Sequence, residues 1–134
     1  KERGTRETQT MKSEKNYTIS KDTRRVSIAD ALDAVSKVTQ GLPSAAVFEH
    51  GTLQVKMYRP VGQDPQKPHT RDELYVIASG SGWFVNGDER HAFRTGDVLF
   101  VPAGVTHRFE EFSDDFCTWV MFYGPEGGER PAHD

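Results

Sequence analysis

Gly96-Asp97-Val98-Leu99-Phe100-Val101-Pro102-Ala103-Gly104-Val105-Thr106-His107 is the stretch whose reading decides the fold. Thr95-Gly96-Asp97 is a turn, Val98–Val101 is a short apolar run of strand length, and the Pro-x-Gly that follows fixes a second turn. His107 stands where the chain re-enters a strand. A second stretch upstream, Pro68-His69-Thr70-Arg71-Asp72-Glu73-Leu74-Tyr75-Val76-Ile77-Ala78-Ser79-Gly80, has the same plan of strand and rigid turn. His69 and Glu73 are four residues apart, so on an extended chain both point to one face, which Tyr75 and Ile77 share. If the two strands are neighbours facing one interior, two imidazoles and a carboxylate converge. Such a donor set with open positions suits Fe(II), and also Mn, Ni, Co or Zn.

Outward from these stretches the pattern stays that of short strands. Leu53, Val55 and Met57 alternate with Gln54, Lys56 and Tyr58, a half-buried strand. Trp83–Val85, His91–Arg94, Arg108–Phe112 and Cys117–Tyr123 complete the series, with turn residues between them. Asn86-Gly87 predicts a hairpin centred on that pair, because both residues accept positive φ. About seven or eight strands with frequent turns predict an antiparallel sandwich or barrel. One short helix precedes them. Ser27 is placed to cap it, Asp30 suits its positive end, and Ile28, Leu32 and Val35 form its apolar stripe; Gly41 and Pro43 close it. Residues 1–19 are charged and lack hydrophobic periodicity, and read as a tail or arm ahead of a single domain over 20–134. Met11 reads as a natural start, with residues 1–10 a remnant before it; the other reading is an arm packed on a neighbour.

The 134 residues suffice for one sizeable core, and hydrophobic residues at 35% with charged residues at 28% describe an ordinary water-soluble balance. No apolar run approaches the roughly 20 residues that span a bilayer, and no signal-peptide apolar region precedes the domain. These observations argue against a membrane partner, and a net charge of −3 argues against nucleic acid, which demands a basic patch. The single cysteine, Cys117, cannot form an internal disulfide and reads as a buried apolar filler, so a cytoplasmic setting is expected.

The two quoted stretches resemble the paired motifs of the cupin superfamily, Gly-(x)5-His-x-His-(x)3–4-Glu-(x)6-Gly and Gly-(x)5-Pro-x-Gly-(x)2-His-(x)3-Asn. Gly96, Pro102, Gly104 and His107 fit the second, and the Glu73-to-Gly80 spacing fits the end of the first. The resemblance covers roughly residues 45–124. It implies an all-β double-stranded β-helix (a jelly-roll barrel) with a divalent transition metal (Fe, Zn, Ni or Mn) on His69, Glu73 and His107. The chain departs from the pattern in two places. The first histidine falls on Lys67, a poor ligand because it must first lose a proton, which leaves Gln63, Asp64 or Gln66 as alternatives for a fourth position. The final Asn position is Glu111.

Further expectations attach to this frame. Tyr75 is a candidate catalytic hydroxyl that orients substrate or transfers a proton, or else it simply packs. Ile77 and Phe109 are expected at the pocket. Trp119 and Met121 alternate on one face of the last strand and either line the pocket, the working expectation, or cover the helix. Glu73 has an alternative in a salt bridge to Arg71 or Arg108. Arg71, Asp72, Glu110, Asp114 and Asp115 read as solvated charges, Arg71 and Arg108 being minor candidates for anchoring an anion, and His50, His91 and His133 read as solvated. The resemblance implies an enzyme acting on a small polar molecule, within oxygenase, isomerase, lyase or decarboxylase chemistry, and the fold does not choose among them. A non-catalytic binding or sensing barrel is the alternative, and a metal-free epimerase-like barrel the third reading. Exposed edge strands predict a homodimer, with Tyr17–Ser20 extending the partner's sheet.

Overall fold

The structure is a computed structural model and describes residues 17–18 and 22–131. Most of the 1–19 tail and His133 therefore lie outside the described residues. The elements run β1 (Tyr17–Thr18), α1 (Ile28–Ser36), β2 (Ser44–His50), β3 (Leu53–Tyr58), β4 (Asp72–Ser79), β5 (Ser81–Asn86), β6 (Glu89–Arg94), β7 (Val98–Val101), β8 (His107–Glu110) and β9 (Cys117–Tyr123). They form a six-stranded sheet in the order β1-β2-β3-β9-β4-β7 and a three-stranded sheet in the order β6-β5-β8. This is the mostly-β double-stranded architecture the motif stretches imply, with one short helix.

The chain crosses from the large sheet to the small one at Gly80, between β4 and β5. Its φ is 99°, and an added Cβ would stand 2.7 Å from the Phe116 backbone, so only glycine permits the crossing. The β5–β6 hairpin pairs Asn86 with Glu89, which makes Gly87-Asp88 the turn and Asn86 the last paired residue. Of that pair only Gly87 has positive φ, at 61°. The turn is thus one residue later than the sequence predicts. A glycine in the first central position suits a type II′ turn, and an Asn-Gly centre is not required.

Two apolar clusters lie on either side of the large sheet. Between the sheets sit Tyr58, Tyr75, Ile77, Phe84, Phe93, Leu99, Val101, Phe109, Phe116 and Val120. Outside it, α1 packs on β2 and β3 through Ala31, Ala34 and Val35, joined by Ala45, Val47, Met57 and Cys117. Ser27 caps the helix as its sequence predicts, in a reciprocal box with Asp30: the Asp30 amide donates to Ser27 Oγ at 3.0 Å. Its buried stripe differs from the expected one, since Ile28 is 41% exposed. The two alanines let the helix axis approach the sheet closely, and that rotates Ile28 to the rim.

Tyr17 and Thr18 pair in parallel with Ala45 and Ala46 of their own chain. Within one chain these two residues form an edge strand on β2, and Ile19 and Ser20 of the expected arm lie outside the described residues.

Candidate metal centre

His69, Glu73 and His107 are brought together, and they come from three different places. Glu73 is the second residue of β4, registered against Val101 of β7 and Phe122 of β9. His107 opens β8, in the other sheet, paired with Asn86. The two strands are therefore not neighbours in one sheet; their side chains meet across the interior. His69 arrives from the loop before β4.

Asp72 explains why these segments meet. It is buried, its Oδ1 accepts from the Ala103 amide at 3.0 Å and its Oδ2 from the Glu129 amide at 2.7 Å. The Gly104 amide adds a bond to the His69 carbonyl at 2.7 Å. The Pro-x-Gly turn is thereby clamped to the start of β4. The reading of Asp72 as a solvated charge is corrected: backbone amides from two loops take the place of water.

Glu73 is 1% exposed, and neither carboxylate oxygen has a hydrogen-bond partner. Its Oε1 lies 3.3 Å from His107 Nε2, and its Oε2 lies 3.8 Å from His69 Nε2. Neither arginine considered as its alternative partner reaches it. Arg108 pairs with Glu110 at 2.6 Å, and Arg71 donates to the carbonyls of Thr52 and Gly124. His107 Nδ1 donates to the Val105 carbonyl at 2.9 Å. That bond leaves the Nε2 lone pair facing the carboxylate, the orientation of a metal-ligating imidazole. Burial works against charge on His107, but Glu73 and the Val105 carbonyl outweigh it and move its pKa up. Burial moves the pKa of His69 down despite the neighbouring Glu73, favouring the neutral imidazole that a metal requires.

These groups fit a divalent ion. A buried carboxylate with no hydrogen bond, 3.3 Å from an imidazole nitrogen, is costly unless a proton or a metal cation lies between them. The three donor atoms all lie within 4.8 Å of one another. Ligands about 2.0–2.2 Å from one ion stand about 3–4 Å apart, so little adjustment is needed.

The three alternatives for a fourth ligand separate clearly. Gln63 is exposed, and so is Lys67. Asp64 is buried but fully engaged as an acceptor: from Tyr58 Oη at 2.5 Å, from the Gln66 amides of backbone and side chain, and from the Phe109 amide at 2.9 Å. A carboxylate only accepts, so Gln66 must present its Nε2 to Asp64, at 2.7 Å. The Gln66 carbonyl oxygen then points inward, 3.1 Å from His69 Nε2 and 3.2 Å from the Tyr75 hydroxyl. Of the three, only Gln66 offers a free donor atom to the centre.

Tyr75 is fully buried and its hydroxyl donates to Gln66. Burial, and then the charge of Glu73, push its pKa well up, so the phenol keeps its proton. Ile77 and Phe109 belong to the core beneath the site; Phe109 stacks against Tyr75 with ring centroids 4.9 Å apart and does not line the cavity. On β9 the site face carries Val120 and Phe122, not Trp119 and Met121. Trp119 packs with the helix-side cluster, and Met121 shares its parity. The inner cavity, about 40 Å³, is lined by Leu42, Ser44, Lys56, Tyr58, Gln66, His69, Glu73, Val120 and Phe122. Lys56 is the residue sequence reasoning passed over. On β3 the polar-looking face turns inward, and the one legible signal was a lysine between a strand's aliphatic residues.

The family model described as "Cupin domain" matches residues 55–123. An uncharacterized protein of Streptomyces coelicolor, SCO3923, is 43% identical over 63 residues, 47% of this chain and 60% of that protein. An acireductone dioxygenase of Drosophila pseudoobscura pseudoobscura is 33% identical over 75 residues, 49% of this chain and 40% of that protein. The chain thus spans less than two thirds of each. Among solved structures, an uncharacterized double-stranded β-helix protein of Klebsiella pneumoniae superposes with a TM-score of 0.61 at 15% identity, covering 75% of this chain and 90% of that one. A cupin-2 domain protein of Shewanella frigidimarina gives 0.53 at 19%, covering 69% and 90%. The family match takes in the strand that bears Glu73, the strand that bears His107 and the clamp between them, and the protein is a member of the cupin family.

Proposed function

We propose that the protein is a metal-dependent enzyme acting on a small polar molecule, with His69, Glu73 and His107 holding one divalent transition ion. The observation that carries this reading is the Glu73 carboxylate, buried without a hydrogen bond and facing imidazole nitrogens on two sides. A divalent ion held by His69, Glu73 and His107 would supply Lewis acidity. Val120 and Phe122 give the inner cavity an apolar wall. Gln66, held by Asp64, offers its carbonyl as a fourth donor or as the acceptor for Tyr75. Tyr75 keeps its phenolic proton on the Gln66 carbonyl, behind the cavity wall, and reaches a developing oxyanion only if Gln66 turns aside.

The similarity to an acireductone dioxygenase supports oxygen chemistry within this class. Elemental analysis of protein purified without added metal tests the reading. One ion per chain is expected in wild type and less than a tenth of that in His69→Ala and Glu73→Ala. Oxygen uptake with diketones, thiols and catechols then separates an oxygenase from a lyase or isomerase. Metal at stoichiometry without turnover of any class leaves the binding-module alternative.

A small molecule is the proposed partner, in a cytoplasmic setting, and a homodimer the proposed assembly. The dimer reading rests on β7, the edge of the six-stranded sheet, where Val98 is 63% and Phe100 47% exposed. Sedimentation tests it, with a monomer as the refuting result.

A further inference from the structure

We propose that Lys56 anchors a negatively charged group of the substrate, so that the site takes small carboxylates in preference to neutral molecules. The inference deepens the metal-site reading and rests on it for the position of the reacting centre.

Lys56 borders two adjoining spaces. It lines the inner cavity together with Gln66, His69 and Glu73, and it lines an outer groove of about 230 Å³ together with Gln54, His69, Thr70, Arg71 and Phe122. A molecule bound in the groove with one end toward His69 therefore passes the ammonium. Phe122 organises this entrance. Its ring meets the His69 ring edge-on at 5.0 Å between centroids, while Lys56 Nζ and Arg71 Cζ each lie 5.9 Å from its centre.

With an ion beside Glu73, the charges there favour an anion. Among the described residues neither Lys56 nor Arg71 is in an ion pair with a carboxylate. Arg71 is committed to main-chain carbonyls, and so contributes a fixed positive charge. Glu49 is at the exposed end of β2, where it accepts from Gln54 Nε2 at 2.8 Å. Among the described residues Glu73 is the buried acid that acts on Lys56, and a divalent ion beside it would more than cancel its charge. A half-buried ammonium without a carboxylate partner is under-solvated, and an incoming carboxylate supplies the missing partner.

The test is calorimetric titration of wild type, Lys56→Met and Lys56→Arg with matched probes: linear 2-oxo and 4-oxo acids of three to six carbons and their primary amides. Metal content and melting temperature are measured on each protein first. The expected result is at least one acid bound tenfold or more tighter than its amide by wild type. That preference should fall at least tenfold in Lys56→Met and persist in Lys56→Arg, with metal content unchanged. The ion alone also favours acids, so the loss in Lys56→Met is the decisive comparison. Acids and amides bound alike, neither bound, or an unaltered preference in Lys56→Met overturns the proposal. Should wild type carry no metal, the metal reading fails by itself, and the same titrations of the metal-free protein still decide for or against Lys56.

Discussion

Asp64 makes no hydrogen bond to His69, Glu73 or His107, yet the aim of Gln66 depends on it. Its two oxygens receive the Tyr58 hydroxyl, the Gln66 backbone and side-chain amides and the Phe109 amide. Replacing it with Asn puts an NH2 where one oxygen was, so donors face donors. Asp64→Asn is expected to cost about 1–3 kcal/mol of stability. It also frees the Gln66 amide to turn its carbonyl away from His69 and Tyr75. Metal affinity should then fall by roughly 10-fold or more, as for partners that orient ligands from behind. The Co(II)-substituted protein should show an altered d–d spectrum. An unaltered spectrum with reduced stability would assign Asp64 to folding alone. Loop residues such as Asp64 and Gln66 carry no periodicity, so the sequence could offer them only as alternatives beside Gln63; their roles come from which donors surround them. His69, Glu73 and His107 were legible because the stretches that hold them resemble the paired cupin motifs; spacing alone pairs His69 with Glu73 and does not bring His107 to them.

At the scale of elements, Asp72 joins the turn before β8 to the start of β4, and Glu111, just after β8, has a left-handed conformation with φ 50°. Asp72→Ala leaves two backbone amides without their acceptor and should cost about 1–3 kcal/mol in chemical denaturation. Metal affinity should weaken in parallel, because the clamp sets the distance between His69 and His107. A loss of stability with undiminished metal affinity would separate the clamp from the site. Glu111 is strained in the other sense: a non-glycine residue pays roughly 1–2 kcal/mol for that backbone, and Asn tolerates it best after glycine. Glu111→Asn forfeits only an exposed contact to Arg90, which keeps its bond to Glu110. A rise in melting temperature is expected, and a fall would show the ion pair to matter more than the backbone. The elements themselves were readable wherever one face alone is buried, as in the Ser27-capped start of α1. On β9 the reading failed for a physical reason. Cys117, Trp119 and Met121 alternate with Thr118, Val120 and Phe122, and the strand is covered on both faces, by α1 and by the small sheet. A strand apolar on both sides has no alternation to reveal which side faces the site. β3 misled in the opposite way, since its inward face carries Lys56 and Tyr58, and α1 did so because alanines, too small to mark a stripe, made the contact.

For the molecule as a whole, the proposed ion is a staple between sheets. Glu73 belongs to the six-stranded sheet and His107 to the three-stranded one, and β4 and β8 share no ladder. An ion bound by both exists only in the folded state, so its binding free energy adds to folding. At 100 times its dissociation constant the gain is about 2.7 kcal/mol. For a domain of this length that corresponds to roughly 10 °C in melting temperature. Chelation should therefore lower the Tm of wild type by about that amount. Glu73→Gln should respond oppositely in its two forms. The amide keeps the shape of the acid while removing a buried charge that has no hydrogen bond, so metal-free Glu73→Gln should melt at or above metal-free wild type. The same variant should gain nothing when metal is added, because a neutral amide is a weak third donor. A Glu73→Gln protein less stable than metal-free wild type would mean that Glu73 holds the two sheets together through the imidazoles alone. The buried carboxylate would then be part of the fold, not kept there for an ion at some cost to stability.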